Sequence, residues 1–129
     1  MEVRRDRMCF ACGPDNPIGL KLDFELRDGV LTTRFIPNEV HQGFDGIMHG
    51  GLISTLLDEV MANVLYLKEM KAVTAKMEVK FRQPVKIGEE LIVKGRITKE
   101  KKRTISTEAE IVNLEGEKLA EAEAVFMRK

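Results

Sequence analysis

Hydrophobic and polar positions alternate over six stretches of the chain, and between the second and third they switch to a helical period. Leu20, Leu22, Phe24 and Leu26 face Lys21, Asp23 and Glu25 at a spacing of two. That pattern predicts a strand with one buried face. Asp28-Gly29 is a hairpin signal, and Val30 to Ile36 reads as its second strand. From Leu52 to Lys68 the apolar residues Ile53, Leu56, Leu57, Val60, Val64 and Leu67 recur at three and four, without Pro or Gly. This predicts one long helix. Four further strand-like runs follow: Thr74 to Val85, Leu91 to Thr98, Thr104 to Val112 and Lys118 to Met127. Residues 1–19 are rich in charge and turn formers and predict irregular chain.

The order ββαββββ predicts an α+β domain: a curved antiparallel sheet wrapped around one long central helix. One helix covers one sheet face only partly, and uncovered edges invite a second copy. Residues 1–129 fit one domain.

Composition narrows the picture. With 21 basic and 21 acidic residues, the net charge is zero. A nucleic-acid binder would ordinarily be strongly basic, so no nucleic-acid partner is expected. The N-terminus MEVRRDRMCF has no apolar stretch typical of a secretory signal, and no run approaches a membrane span. The expected location is cytoplasmic, with no membrane partner. Cys9 and Cys12 form a C-x-x-C. A structural disulfide is not expected in a reducing compartment. A zinc site needs two more ligands, and His41 and His49 lie in a glycine-rich segment with another use. The favoured reading is therefore packing, with no metal; a small zinc-binding interaction protein is the rival that a metal assay would separate.

Candidate chemistry gathers where the helix begins. His49-Gly50-Gly51 closes the segment HQGFDGIMHGG. A helix N-terminus presents unsatisfied N–H groups and a positive dipole end, and glycine lets a carbonyl approach them, as in an oxyanion hole. The competing reading is a sharp turn that glycine permits. Thr55, Glu59, Asn63 and Tyr66 form one polar strip, read as solvated. Asp58 lies in another strip, among Leu57, Met61 and Ala62. Burial there would disfavour its charged form, as at many active sites. A buried hydrogen bond or a subunit ion pair explains Asp58 equally well. Asp58 lies about 12 Å along the helix from Gly50, at a rise of 1.5 Å per residue. One small carbonyl cannot touch both. Joint action needs a second helix running antiparallel alongside, hence a symmetric dimer with two composite sites.

The segment HQGFDGIMHGGLISTLLDEVMANVL resembles the helix entry of the hotdog-fold acyl-CoA thioesterases, in the branch of the phenylacetate-pathway and 4-hydroxybenzoyl-CoA enzymes. Their H-G-G, followed by an acidic residue seven positions after the second Gly, is met by His49, Gly50, Gly51 and Asp58. CFACGPDNPIGLKLDF and TAKMEVKFRQPVKIGE resemble the flanking segments of that superfamily. The resemblance implies hydrolysis of an acyl-CoA thioester to free acid and CoA, without metal or organic cofactor. Gly50, with Gly51, would polarise the thioester carbonyl. Asp58 of the partner subunit would act as general base or nucleophile. Thr74 would help hold the attacking water, and His49 would orient the loop, contact the ligand or simply pack. Gln42 is the nearest match to an upstream amide residue of the family, one position out of register. The acyl pocket would draw on Phe44, Met61 and Leu65.

Lys99, Lys101, Lys102 and Arg103 form a basic hairpin tip, with Arg82 and Lys86 near another strand end. A solvated tip is the favoured reading, and a clamp on CoA phosphates the functional one. The resemblance also implies a homodimer. Relatives often pair dimers into a homotetramer, and both assemblies stay open. Two rivals share the fold: a module that binds or senses acyl-CoA without hydrolysing it, and a hydroxyacyl-thioester dehydratase. The second poorly matches H-Q-G-F-D-G.

Overall fold

A computed structural model describes residues 7–129, so the first six residues of the expected irregular segment lie outside the described chain. The elements are β1 (Glu25–Arg27), β2 (Val30–Phe35), a short 3-10 turn (Glu39–His41), α1 (Gly50–Leu67), β3 (Ala72–Phe81), β4 (Leu91–Glu100), β5 (Thr104–Val112) and β6 (Lys118–Arg128). The six strands form one antiparallel sheet in the order β1-β2-β4-β5-β6-β3. The sheet curls around α1, as the ββαββββ order predicts.

The first strand is shorter than its alternation suggests. Leu20 and Leu22 are buried while Lys21 and Asp23 are exposed, so the two faces are as expected. The ladder begins only at Glu25, for two reasons. Lys21 has φ +54°, outside strand geometry. The Leu20 and Leu22 N–H groups donate instead to the Phe10 and Ala11 carbonyls, 2.8 and 3.0 Å away. This ties the irregular N-terminal segment onto the body of the protein. At the hairpin, Asp28 and Gly29 both have positive φ, as the tight turn requires. The third strand stops at Phe81 rather than Val85, since the Arg82 and Gln83 N–H groups both turn to the Leu119 carbonyl.

Helix α1 forms the centre of the core. Leu56, Leu57, Val60, Met61 and Val64 are all fully buried. Each such side chain contributes about 1.5–3 kcal/mol of transfer free energy. The helix rests on β4 at Gly95, where an added Cβ would lie 2.9 Å from the Val60 Cγ2 and 3.0 Å from its backbone carbon. A glycine inside a strand marks such a close approach. Gly95→Ala should therefore cost about 1–3 kcal/mol by overpacking, read as a lower urea midpoint.

The face of α1 read as solvated is partly covered. Asn63 is fully buried, and its Nδ2 donates to the Glu59 backbone carbonyl (2.8 Å) and to Glu59 Oε2 (2.9 Å). Glu59 is half-buried and Tyr66 is exposed. The cause is the N-terminal segment, whose Cys9, Ala11 and Cys12 lie against this part of the molecule. Periodicity along the helix alone could not register a cover supplied from 50 residues upstream.

Strand β3 is a sheet edge ten residues long. Val73 and Phe81 on it are large, apolar and about half exposed. Lys76, Glu78 and Lys80 alternate with apolar residues along it, so the edge is long and of mixed polarity, open to pairing with another strand.

Candidate active site

The glycine-rich segment is held by its own polar side chains. Asn38 caps the 3-10 turn: its Oδ1 accepts from the Val40 N–H, and its own N–H donates to His41 Nδ1, each at 3.0 Å. The His41 ring also meets Phe35 edge-on at 5.0 Å. Burial holds the His41 imidazole below its ordinary protonation range. A depressed folded-state value means the unfolded chain binds the proton first. Stability from this group is complete above the unfolded value near pH 6.5 and is lost as pH falls below it. The urea midpoint should thus decline as pH falls through about 6.5, and His41→Asn should flatten that decline.

Gln42 closes the next turn. Its Oε1 accepts from the Gly46 N–H at 2.6 Å, and its Nε2 donates to the Glu39 carbonyl at 3.0 Å. Both ends of the amide are engaged in the loop, which argues for a structural role at this position. Phe44 stands at the loop tip, 85% exposed.

His49 is the N-cap of α1, with an extended backbone, and its Nδ1 accepts from the Gly51 N–H at 2.8 Å. Leu52 and Ile53 donate to the His49 carbonyl. Of the first four N–H groups of the helix, only that of Gly50 has no acceptor among the described residues. The two glycines thus differ: Gly51 is engaged by the cap, and Gly50 presents its N–H. The Phe81 ring lies against Gly50, 3.6 Å from where a Cβ would stand.

Asp58, two turns down the helix, is half-buried. Thr74 Oγ1 donates to Asp58 Oδ1 over 3.4 Å. Thr74 precedes a register shift in the β3–β6 ladder, between Thr74 and Lys76. Such bulges redirect side chains and recur beside active sites. Asp58 and Thr74 line a cleft of about 420 Å³ together with Leu65, Tyr66, Val73, Lys71 and Lys129. Leu65, itself buried, borders this cleft, whereas Met61 lies wholly in the core and does not. Lys71, Lys129, Tyr66 and Val73 were not legible as site residues, because the cleft joins the helix to the first residues of β3 and the chain terminus.

The two expected phosphate contacts lie far apart in one chain. Arg82 follows the Phe81 end of β3 and pairs with Glu121, whose carboxyl it holds below the usual range. Arg103 precedes β5, whose Thr104 pairs with Met127 near the Ala72 end. No described helix is long and apolar enough to cross a membrane.

The sequence profile of the thioesterase superfamily matches residues 45–120, which include both glycines, Asp58 and Thr74. Acyl-coenzyme A thioesterase 13 of Homo sapiens is 30% identical over 77 residues, covering 58% of this chain and 55% of that protein. The Mus musculus protein is 32% identical over the same coverage. The chain therefore spans about half the length of these curated relatives. Among solved structures, one described as a thioesterase superfamily protein superposes with a TM-score of 0.89 at 25% identity, covering 94% of this chain and 60% of that one. The Escherichia coli PaaI protein of the phenylacetic acid degradation operon gives 0.79 at 22% identity, covering 84% of each chain. A hypothetical thioesterase from Streptococcus pneumoniae TIGR4, solved with coenzyme A, also gives 0.79 at 22%, covering 84% of this chain and 88% of that one. By profile and by hotdog fold, this chain belongs to the thioesterase superfamily.

Proposed function

We propose that the chain hydrolyses an acyl-CoA thioester to a free acid and CoA, in a site shared between two copies. One observation carries this reading: α1 runs antiparallel to the edge strand β3. Gly50 lies against Phe81 at one end of that strand, while Asp58 meets Thr74 near the other. Eight residues of helix separate Gly50 from Asp58, about 12 Å at 1.5 Å per residue. Within one chain the presented N–H and the carboxylate cannot meet at one carbonyl.

Two β3 edges paired antiparallel about a two-fold axis would remove that separation. A register setting Phe81 opposite the other copy's Thr74 brings Gly50 of one copy to Asp58 of the other. The same pairing buries Val73 and Phe81 and brings Arg82 of one copy toward the sheet end that carries Arg103, where the CoA phosphates would be held. Phe44, exposed at its loop tip, and Leu65 are the acyl-contacting side chains of this proposal.

The chemistry follows from the parts. Asp58 takes a proton from water, with Thr74 Oγ1 helping to hold it, and the water oxygen bonds to the thioester carbon. The carbonyl oxygen becomes an oxyanion facing the Gly50 N–H and the positive end of α1. The intermediate collapses, the C–S bond breaks and CoA leaves as a thiolate, which needs no strong acid. His49 positions the donor by occupying the Gly51 N–H. Direct attack by the Asp58 carboxylate is the other route. In that route the carboxylate oxygen bonds to the acyl carbon, CoA leaves as a thiolate and water opens the mixed anhydride; a single turnover in heavy-oxygen water detects it where water attacks at Asp58 Cγ, since the acid then carries the enzyme's own oxygen. A homodimer, or a dimer of dimers, and a cytoplasmic location belong to the same proposal, as does one hotdog domain over residues 1–129.

The test is CoA release with a disulfide dye across aryl, short-chain and medium-chain acyl-CoAs. Turnover of at least one is expected. Binding of acyl-CoA with no turnover of any would favour a sensing module instead.

A further inference from the structure

We propose that Cys9, Cys12 and Glu59 together hold one zinc ion, which clips the N-terminal segment to the middle of α1. One ligand atom from each residue, two thiol sulfurs and a carboxylate oxygen, lies within 4.8 Å of the others, and all three residues are half-buried. In a tetrahedral zinc site with Zn–S near 2.3 Å and Zn–O near 2.1 Å, such donors stand about 3.6–3.8 Å apart. The three groups need draw in by no more than about 1.2 Å to reach that geometry.

Three features build the site. The chain turns sharply after Cys12: the Gly13 N–H donates to the Cys9 carbonyl at 2.8 Å, and Gly13 is buried against the backbone of Arg7 and Cys9, where any Cβ would collide. That turn brings the second sulfur back beside the first. Ala11, between the cysteines, is buried, and the Leu22 N–H donates to its carbonyl, so the turn is anchored to the protein body. On the helix side, the fully buried Asn63 amide donates to Glu59 Oε2 at 2.9 Å. Fixing a ligating carboxylate from behind is the usual role of an outer-shell partner.

The donor chemistry selects the ion. Two thiolates with one carboxylate suit zinc and its cobalt substitute rather than magnesium or calcium, which prefer oxygen alone. Binding releases the two thiol protons, and the fourth tetrahedral position goes to water. Cys12 and Glu59 lie 47 residues apart, so the spacing of the cysteines alone gave no third ligand. The inference stands independently of the proposed hydrolysis, and its test uses no acyl-CoA.

The reduced full chain is stripped with a chelator, then given zinc or cobalt alone. One metal per chain is expected after gel filtration, with a thiolate-to-cobalt charge-transfer band and protection of both cysteines from alkylation by zinc. Cys9→Ser with Cys12→Ser should abolish retention and the band. Glu59→Gln, nearly isosteric and able to keep the Asn63 contact, should keep the band yet weaken binding by at least about tenfold, since a neutral amide oxygen replaces a charged ligand. The proposal is overturned if the wild type retains no zinc, if bound cobalt shows no thiolate band, or if Glu59→Gln binds as tightly as the wild type. The last outcome covers the case in which the cysteine variants fail to fold.

Discussion

Asp58→Asn should fold as the wild type and lose about 10²–10⁴ in kcat, the usual contribution of general-base assistance. That corresponds to about 3–5 kcal/mol of barrier at 1.36 kcal/mol per decade. The substitution keeps the shape of the side chain and an oxygen that can accept from Thr74 Oγ1, 3.4 Å away in the wild type. What it removes is the capacity to take a proton or to attack as a carboxylate. Wild-type turnover with an unchanged urea midpoint would remove Asp58 from the chemistry and leave it a structural hydrogen-bond partner.

The second large effect lies at the other end of the helix. Gly50→Pro deletes one N–H while respecting the local backbone. Proline is favoured at the first position of a helix. The residue before it must be extended, and His49 already has φ −61° and ψ 131°. The Phe81 ring leaves ordinary contact distance for a Cβ there. Loss of one preorganised oxyanion donor should lower kcat by about 10²–10³, or ~2.7–4 kcal/mol. By contrast, Gly51 donates to His49, so the two adjacent glycines have separable roles. An alanine at Gly51 would press its Cβ on the imidazole at 3.0 Å and disturb the cap rather than delete a donor.

Much of the fold was legible in the sequence because its signals are local. The Asp28-Gly29 turn, the three-and-four spacing of Ile53 to Leu67 and the alternation after Thr104 each depend on neighbouring residues alone. Local pattern misleads where distant chain decides the outcome. The ladder that alternation predicted from Leu20 begins at Glu25, because the N-terminal segment takes those backbone donors. Asn63 and Glu59 read as solvated, but Asn63 is buried and Glu59 half-buried, next to Cys9 and Cys12.

The candidate site divides the same way. Gly50 and Asp58 stand out through the chemistry of a helix start and of a carboxylate among apolar neighbours. Met61 followed the same face by period yet points into the core, since a few tens of degrees of helix rotation separate cleft from interior. Lys71 and Lys129 enter the cleft through the pairing of the start of β3 with the end of β6, with the Lys129 N–H donating to the Lys71 carbonyl at 3.0 Å. No sequence window contains both.

In the proposed dimer each site takes Gly50 from one copy and Asp58 from the other. Co-expression of the Asp58→Asn and Gly50→Pro chains tests it directly, with CoA release as the readout. Each variant alone should be nearly inactive. In a mixed dimer one composite site carries both defects and the other carries neither, so random pairing should restore about a quarter of wild-type activity. Activity no higher than the two variants measured separately, in a preparation shown to contain mixed dimers, would contradict the shared site.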